Sequence, residues 1–385
     1  MRLLNVVGAR PQFVKLAPVC RAIEAYNGRN PATPVDNVIL HTGQHYDPGL
    51  SDVFFEELEI PRPNVALGVG SGSHGQQTAR MLDGIEQLLL KDKLDAVVVY
   101  GDTNSTIAAA LAAVKLHIPV VHVEAGLRSF NRRMPEEINR IATDHVSDLL
   151  LAPTPTAVRN LEAERLSSRT KFTGDVMLDA IHFNREIAKR RSSIMDRFEL
   201  SGVDYAVATV HRAENTDGPR LQQVMDALAR VASDGLTIVL PLHPRTSNKL
   251  KTDLPQWRPP QNLRIVEPLG YLDMLRLVDG AKLVLTDSGG LQKEAFFLGK
   301  PCVTLRDETE WVETVEGGGN IVVGVDVAAI LNAVGHWRDK IATGSADFSS
   351  GIRSGFGDGA AADHTIKAIV EFLQTSRDGA ATLNG

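Results

Sequence analysis

Short runs of Val, Ile and Leu alternate along this chain with longer stretches of helical periodicity, and the alternation runs through once and then starts again. A parallel strand buried on both faces reads as a near-continuous apolar run, and returning to the next parallel strand takes a helix. The pattern therefore calls for an α/β fold with doubly wound parallel sheets. Strands are expected at 2–7, 38–42, 96–100, 119–123 and 149–152 in the first series, and at 205–210, 237–240, 263–266, 282–286 and 302–305 in the second. Gly8-Ala9-Arg10-Pro11 reads as a turn into a helix reaching about Tyr26, with Pro11 suited to a first helical position. At 385 residues the chain exceeds one ordinary core, so two Rossmann-like halves, 1–172 and 173–360, are the economical architecture. A helix to about Gln374 and a frayed tail fill 361–385. Ligands of such sheets bind beyond the strands' carboxyl ends, which points to a cleft between the halves.

Composition narrows the class. The residues are 43% hydrophobic and 23% charged, with the apolar ones spread through the chain, which argues against disorder, collagen and coiled coil. No apolar run approaches the roughly 18 residues of a spanning helix, and no signal-peptide core follows the first strand, so no membrane partner and a cytoplasmic location are expected. A formal charge of -6 offers nucleic acid no chain-wide basic field, while a local basic pocket for a phosphorylated small molecule stays open. Cys20 and Cys302 lie far apart with no CxxC pair and no metal-ligand histidine spacing, so both are expected buried and reduced, and no metal is expected. Gly70-Ser71-Gly72-Ser73-His74-Gly75 matches GxGxxG ahead of a helix leading into the 96–100 strand. A dinucleotide site wants its acid at the far end of the second strand, where it takes the ribose hydroxyl. Asp95 stands at the near end, so this segment reads as a loop before a helix and no cofactor is expected.

The chemistry-bearing residues cluster just after strands. Thr286-Asp287-Ser288-Gly289-Gly290 starts a helix that holds Gln292 and Glu294, so free backbone N–H groups and the helix dipole face a potential anion. Alone, such a turn is an ordinary helix start. Here His211-Arg212 and His243-Pro244-Arg245 follow neighbouring strands and bring cationic donors that suit a diphosphate. In the first half Asp102 and Glu124 stand at strand ends, and a helix beginning at Pro135 carries Glu136 in its first turn and Arg140 four residues on, along the same face. Each carboxylate alone would be a cap or a salt-bridge partner. Three on one wall, with Arg10 and Lys15 entering from the first turn and helix, read as acid–base equipment, because crowded like charges let one hold a proton while another accepts one.

These blocks, taken in order, resemble the non-hydrolysing UDP-N-acetylglucosamine 2-epimerases. The match is carried by Gly8-Ala9-Arg10-Pro11 with Lys15, Gly101-Asp102-Thr103, the run from His122 to Arg128, Pro135-Glu136-Glu137 with Asn139-Arg140, His211-Arg212, and Thr286 to Gly290 with Glu294. The resemblance covers nearly the whole chain. It implies a GT-B fold, a UDP-sugar substrate with UDP held mainly by the second domain, and a homodimer. It also implies that Arg10, His211, Ser288, Gly289, Gly290, Glu294 and Tyr271 bind the nucleotide sugar. Lys15, Asp102, Glu124, Glu136, Arg140 and His211 would serve the sugar chemistry.

That chemistry has a physical logic of its own. The C2 hydrogen of a 2-acetamido sugar is not alpha to a carbonyl, so a carboxylate cannot take it unaided. Departure of UDP from C1 builds positive charge next door and acidifies it. Elimination gives a 2-acetamidoglucal and UDP, and re-addition with protonation from the opposite face inverts C2. The route needs cations and helix N-termini around the diphosphate and carboxylates near C1 and C2. Asp102 is the first choice for the base and Glu136 the second.

Departures from the family pattern bear on the substrate. Trp311 follows Thr309-Glu310 where many members have Arg, and Leu269 and Met274 stand near Tyr271 where many have Gln and Phe. The runs from His41 to Asp47 and from Leu305 to Trp311 are similar to the branch acting on UDP-2,3-diacetamido-2,3-dideoxyglucuronate. Its extra carboxylate needs an extra cation, for which Arg132, Arg133 and Arg306 are candidates. Activation by a second substrate molecule, which in some members uses residues around Gln44 and His45, is not carried over, since Tyr46-Asp47 follow. A GT-B glycosyltransferase acting on a UDP sugar is the alternative of another class.

Overall fold

The computed structural model describes residues 1–44 and 55–383, without the side chains of Arg245 and residues 377–383. His45, Tyr46 and Asp47, quoted for the substrate branch, lie outside the described residues. The first sheet contains β1 (Arg2–Val7), β2 (Asp36–His41), β3 (Val65–Ala66), β4 (Ala96–Tyr100), β5 (Val120–Val123), β6 (Leu149–Ala152) and β7 (Thr170–Phe172). Its seven strands are all parallel, in the order β3-β2-β1-β4-β5-β6-β7. The second contains β8 (Tyr205–Thr209), β9 (Thr237–Pro241), β10 (Leu263–Val266), β11 (Leu283–Thr286), β12 (Cys302–Thr304) and β13 (Asn320–Val322). These six are again parallel, in the order β10-β9-β8-β11-β12-β13.

Each sheet thus begins at its middle, builds outward on one side, then returns to build on the other. The reversal leaves one crevice per sheet, beyond β1 and β4 in the first and beyond β8 and β11 in the second. Chain contacts divide the molecule into two units, 1–180 with 356–385, and 181–355. The C-terminal helix Ala361–Leu383 therefore belongs to the first unit, where Arg29 pairs with Asp363 at 3.0 Å and Lys171 with Glu371 at 2.9 Å. It runs on to Leu383, past Gln374 where the sequence reading ends it.

Burial explains why the long runs are strands. Leu4 and Val6 of β1, Leu40 of β2 and Val97 and Val99 of β4 share one buried cluster with Met81 and Ile85. Each such side chain contributes on the order of 1.5–3 kcal/mol on leaving water. Helix Asn104–Lys115 lays Ala108, Ala109, Ala110, Ala112 and Ala113 into the same cluster, and small side chains let its backbone lie close to the sheet. β3, β7 and β13 escape the sequence reading. They are edge strands of two or three residues, too short for any periodicity to show, and β7 carries the exposed Lys171 and Phe172. The glycine-rich segment before helix His74–Leu89 is a loop as read: the Gly70 N–H donates to Gly43 O at 2.9 Å, and Ser73 caps the helix. Both cysteines are buried, and burial pushes the Cys20 thiol up to about 11 and Cys302 to about 12. No helix among the described residues is long and apolar enough to cross a membrane.

Candidate active site

The crevice of the first sheet is assembled from the turns after β1, β4 and β5. After β1 the chain enters helix Arg10–Arg29, with Pro11 in its first turn. Gln12 pins this turn: its Oε1 accepts from Gly8 N at 2.8 Å and Ala9 N at 3.1 Å, while its Nε2 donates to Tyr100 O and Thr106 Oγ1. Arg10 is exposed at the helix start. One turn on, buried Lys15 pairs with buried Glu124 at the end of β5. Two positive-φ residues shape this contact. Gly101 has φ +62, and a Cβ there would sit 3.1 Å from both Glu124 Oε2 and Lys15 Nζ, so a side chain would press on the ion pair. Glu124 itself adopts φ 72, with its N–H and that of Ala125 both donating to Leu151 O at 3.1 Å. A left-handed glutamate is a strained conformation, and it turns the carboxylate off the strand toward Lys15.

Asp102 follows Gly101. Its carbonyl accepts from Asn139 Nδ2 at 2.9 Å, and its Oδ2 accepts from Arg140 Nη1 at 2.7 Å. Although 32% of the side chain is accessible, its setting holds the carboxyl above the usual carboxylate range. Removal from water is the main cause; Arg140 and Lys15 pull the other way, and the charges of Glu124 and Glu136 add to the rise. Those influences bring together four of the residues picked from the sequence around Asp102. Glu136 is exposed in the first turn of helix Pro135–Val146.

Arg140, read from the sequence on one helix face with Glu136, makes its ion pair on this helix with Glu137, three residues before it, at 3.0 Å. Glu137 is buried and accepts from Ser129 N and Oγ and from Phe130 N, each at 2.9 Å. Burial alone would raise its carboxyl, but the Ser129 bonds and Arg140 outweigh that and hold it below the usual range. Glu137 therefore aims Arg140 at Asp102 and ties down the turn after Arg128. Its signal lay in the sequence as an acid three residues ahead of Arg140; choosing it over Glu136 required knowing which face is buried.

The crevice of the second sheet is built the same way. Asp287, fully buried after β11, accepts from His211 N at 3.0 Å, Arg212 N at 3.0 Å and Asn215 Nδ2 at 3.2 Å, and its Oδ1 lies 3.0 Å from His211 Nδ1. Burial alone would raise this carboxyl; the bonds and charge of His211 and the Arg212 N–H bring it below the usual range. Asp287 thus fixes both the turn after β8 and the ring of His211, which is 46% exposed. Ser288 caps helix Gly289–Phe297 by accepting from Leu291 N at 3.4 Å. Gly290 is exposed at its start, buried Gly289 lies against Glu310, and Glu294 is half-buried. Tyr271 opens helix Tyr271–Gly280 and is buried. Arg306, at the end of β12, is buried and donates through Nη1 to Glu310 Oε2 at 2.7 Å, whereas Arg132 and Arg133 are exposed. Lys293 lies over the Trp311 ring, 3.9 Å from its centroid. Asp287 stood in the motif as read, but nothing in sequence could show that it holds His211 across 76 residues.

Two parallel doubly wound sheets, with acids and cations at the strand ends of the first and a helix N-terminus beside a carboxylate-held histidine in the second, define a GT-B-like enzyme of nucleotide-sugar chemistry. The chain belongs to the UDP-N-acetylglucosamine 2-epimerase family, whose sequence model matches residues 29–370. It is 48% identical over 358 residues to a UDP-N-acetylglucosamine 2-epimerase homolog of Methanococcus maripaludis, covering 92% of this chain and 97% of that protein. Against the UDP-2,3-diacetamido-2,3-dideoxy-D-glucuronate 2-epimerase of Pseudomonas aeruginosa it is 49% identical over 328 residues, 84% of this chain and 88% of that one. The crystal structure of Methanocaldococcus jannaschii UDP-GlcNAc 2-epimerase in complex with UDP-GlcNAc and UDP superimposes with a TM-score of 0.81 at 42% identity, covering 96% of this chain and 100% of that chain.

Proposed function

We propose that this protein is a UDP-N-acetylglucosamine 2-epimerase, interconverting UDP-GlcNAc and UDP-ManNAc by elimination and re-addition of UDP. The observation that carries the reading is the gathering of Asp102, Glu124, Lys15 and Arg140 at adjacent strand ends, with Asp102 held above the usual carboxylate range. In this reading the second unit grips the nucleotide: the helix N-terminus at Ser288, Gly289 and Gly290 and the imidazole of His211 take the diphosphate, Glu294 takes the ribose hydroxyls, and Tyr271 supports the pocket. The first unit does the sugar chemistry. As the C1–O bond to the β-phosphate breaks and its electron pair leaves with UDP, Asp102 takes the C2 proton and the C1=C2 double bond forms. Glu124, charge-balanced by Lys15, stabilises positive character at C1, and Arg140 keeps Asp102 in place. Return of UDP to C1, with a proton delivered to the other face of C2 by a second acid such as Glu136, completes the inversion. We further propose that the molecule works as a homodimer.

A second reading, 2-epimerisation of UDP-2,3-diacetamido-2,3-dideoxyglucuronate, is favoured by the 49% identity to the Pseudomonas enzyme and by Arg132 and Arg133, exposed ahead of the Glu136 helix. Arg306 supports it less, being already matched by Glu310. One experiment separates these readings from transfer or hydrolysis: incubate each UDP sugar with the protein in D₂O and follow C2 by NMR. Deuterium entering C2 with UDP still attached at equilibrium, faster with UDP-GlcNAc, is the expected result. UDP release that requires an acceptor would replace the proposal with a glycosyltransferase, and release without one with a hydrolase.

A further inference from the structure

A buried chain of charged groups lies behind the two catalytic turns and belongs to neither. His122 of β5 has no exposed surface. Its Nε2 is 2.8 Å from Gly101 O, and its Nδ1 is 2.7 Å from Asp144 Oδ1. A carbonyl oxygen can only accept, so Nε2 donates to Gly101, and Nδ1 faces the Asp144 carboxyl. Asp144, equally buried, accepts through Oδ2 from Gly126 N at 3.1 Å and pairs with Arg128 Nη1 at 2.7 Å. Arg128 is held in turn by Glu164, at 2.7 and 2.8 Å. Burial alone would raise the Asp144 carboxyl; His122 and Arg128 outweigh it and keep the group ionised. One His–Asp pair therefore grips two turns at once, through the Gly101 carbonyl just before Asp102 and the Gly126 N–H two residues after Glu124.

The connection matters because Gly101 leaves the sheet. Its N–H still donates to Val123 O at 3.1 Å, but at φ +62 its carbonyl turns from the ladder to the His122 ring. Asp102 is then fixed on three sides: by His122 through the preceding carbonyl, by Asn139 through its own, and by Arg140 through its carboxylate. We propose that His122 is a positioning residue for the reaction, setting Asp102 against Glu124 through the Gly101 carbonyl with Asp144 as its anchor. The inference rests on the reading of Asp102 as a catalytic group.

Two variants of the full chain test it. In His122→Gln the amide nitrogen can reach the place of Nε2 and keep the donor to Gly101; in His122→Asn it can reach only the place of Nδ1 and the bond to Asp144. A catalytic group misplaced by about an ångström costs roughly 10²-fold. The expected result is therefore a kcat for His122→Asn about 10- to 100-fold down with KM and UDP affinity little changed, a matching loss of C2 deuterium exchange, and recovery of most of both in His122→Gln. Equal activities in the two variants, or losses that track only the folded fraction by circular dichroism, would overturn the proposal. Asp102→Asn is run beside them: if it stays active, the assignment of Asp102 has failed, whatever His122 shows.

Discussion

At the residue scale, two carboxylates that share Arg140 are moved in opposite directions by their surroundings, Asp102 up and Glu137 down. Asp102 sits above the usual carboxylate range chiefly because it is withdrawn from water, and Arg140 is the strongest influence opposing that rise. A base works only when deprotonated, so kcat/KM should fall as pH drops through the Asp102 value, with an acid limb above the ordinary aspartate range. Arg140→Gln removes a positive charge that favours the carboxylate, so the limb should move to higher pH while kcat falls. Profiles of kcat/KM measured by C2 deuterium exchange check this, and a limb unmoved or shifted downward would count against Asp102 as the base. Glu124 and Asp102 could be picked from the sequence because they stand at the ends of apolar runs, and Lys15 because it lies on the helix that follows the first of those runs. Glu137 and Asp287 stood in the same motifs without being assigned work, because their role is to hold a neighbour, and holding is a property of distances between elements.

At the element scale, the C-terminal helix is joined to the fold by a cap from a distant part of the chain. Asp179, in helix Val176–Arg191, accepts from Ala361 N at 3.1 Å and Ala362 N at 2.9 Å, satisfying the first free amides of the last helix. Burial pushes its carboxyl up to about 6 in spite of those bonds. Because the folded value lies above the ordinary one, the protonated form is favoured by folding. The stability this group contributes is full below about pH 4 and is lost as pH rises through about 6. Asp179→Asn keeps an acceptor and cannot ionise, so the stability of wild type relative to this variant should decline from pH 4 to pH 7. Urea unfolding at several pH values measures that difference, and a flat difference would remove Asp179 as its source. The helix itself was legible from its periodicity. Its cap, 182 and 183 residues away in sequence, was not.

At the scale of the whole molecule, two sheets with their own cores give two units of separate composition. A ligand stabilises the unit that binds it, by about 2.7 kcal/mol at a concentration 100 times its dissociation constant. Calorimetry with UDP alone should therefore raise the unfolding transition of the second unit more than that of the first, and His211→Ala should shrink the shift. Equal shifts in both, or none, would argue against a nucleotide site built on Ser288 and His211. The doubling of the fold could be read directly, since burying a strand on both faces forces a long apolar run and no other arrangement repeats that run with helices between. Residues standing just beyond those runs were marked as the site by the same logic, because strand ends in a parallel sheet open on a crevice. What the linear order could not carry was which of two adjacent glutamates faces inward, which acid aims His211, and how His122 ties the turns of Asp102 and Glu124 together. Those outcomes turn on the side of a helix that packs and on contacts between groups 20 to nearly 80 positions apart, and only the folded chain brings such groups within hydrogen-bond reach.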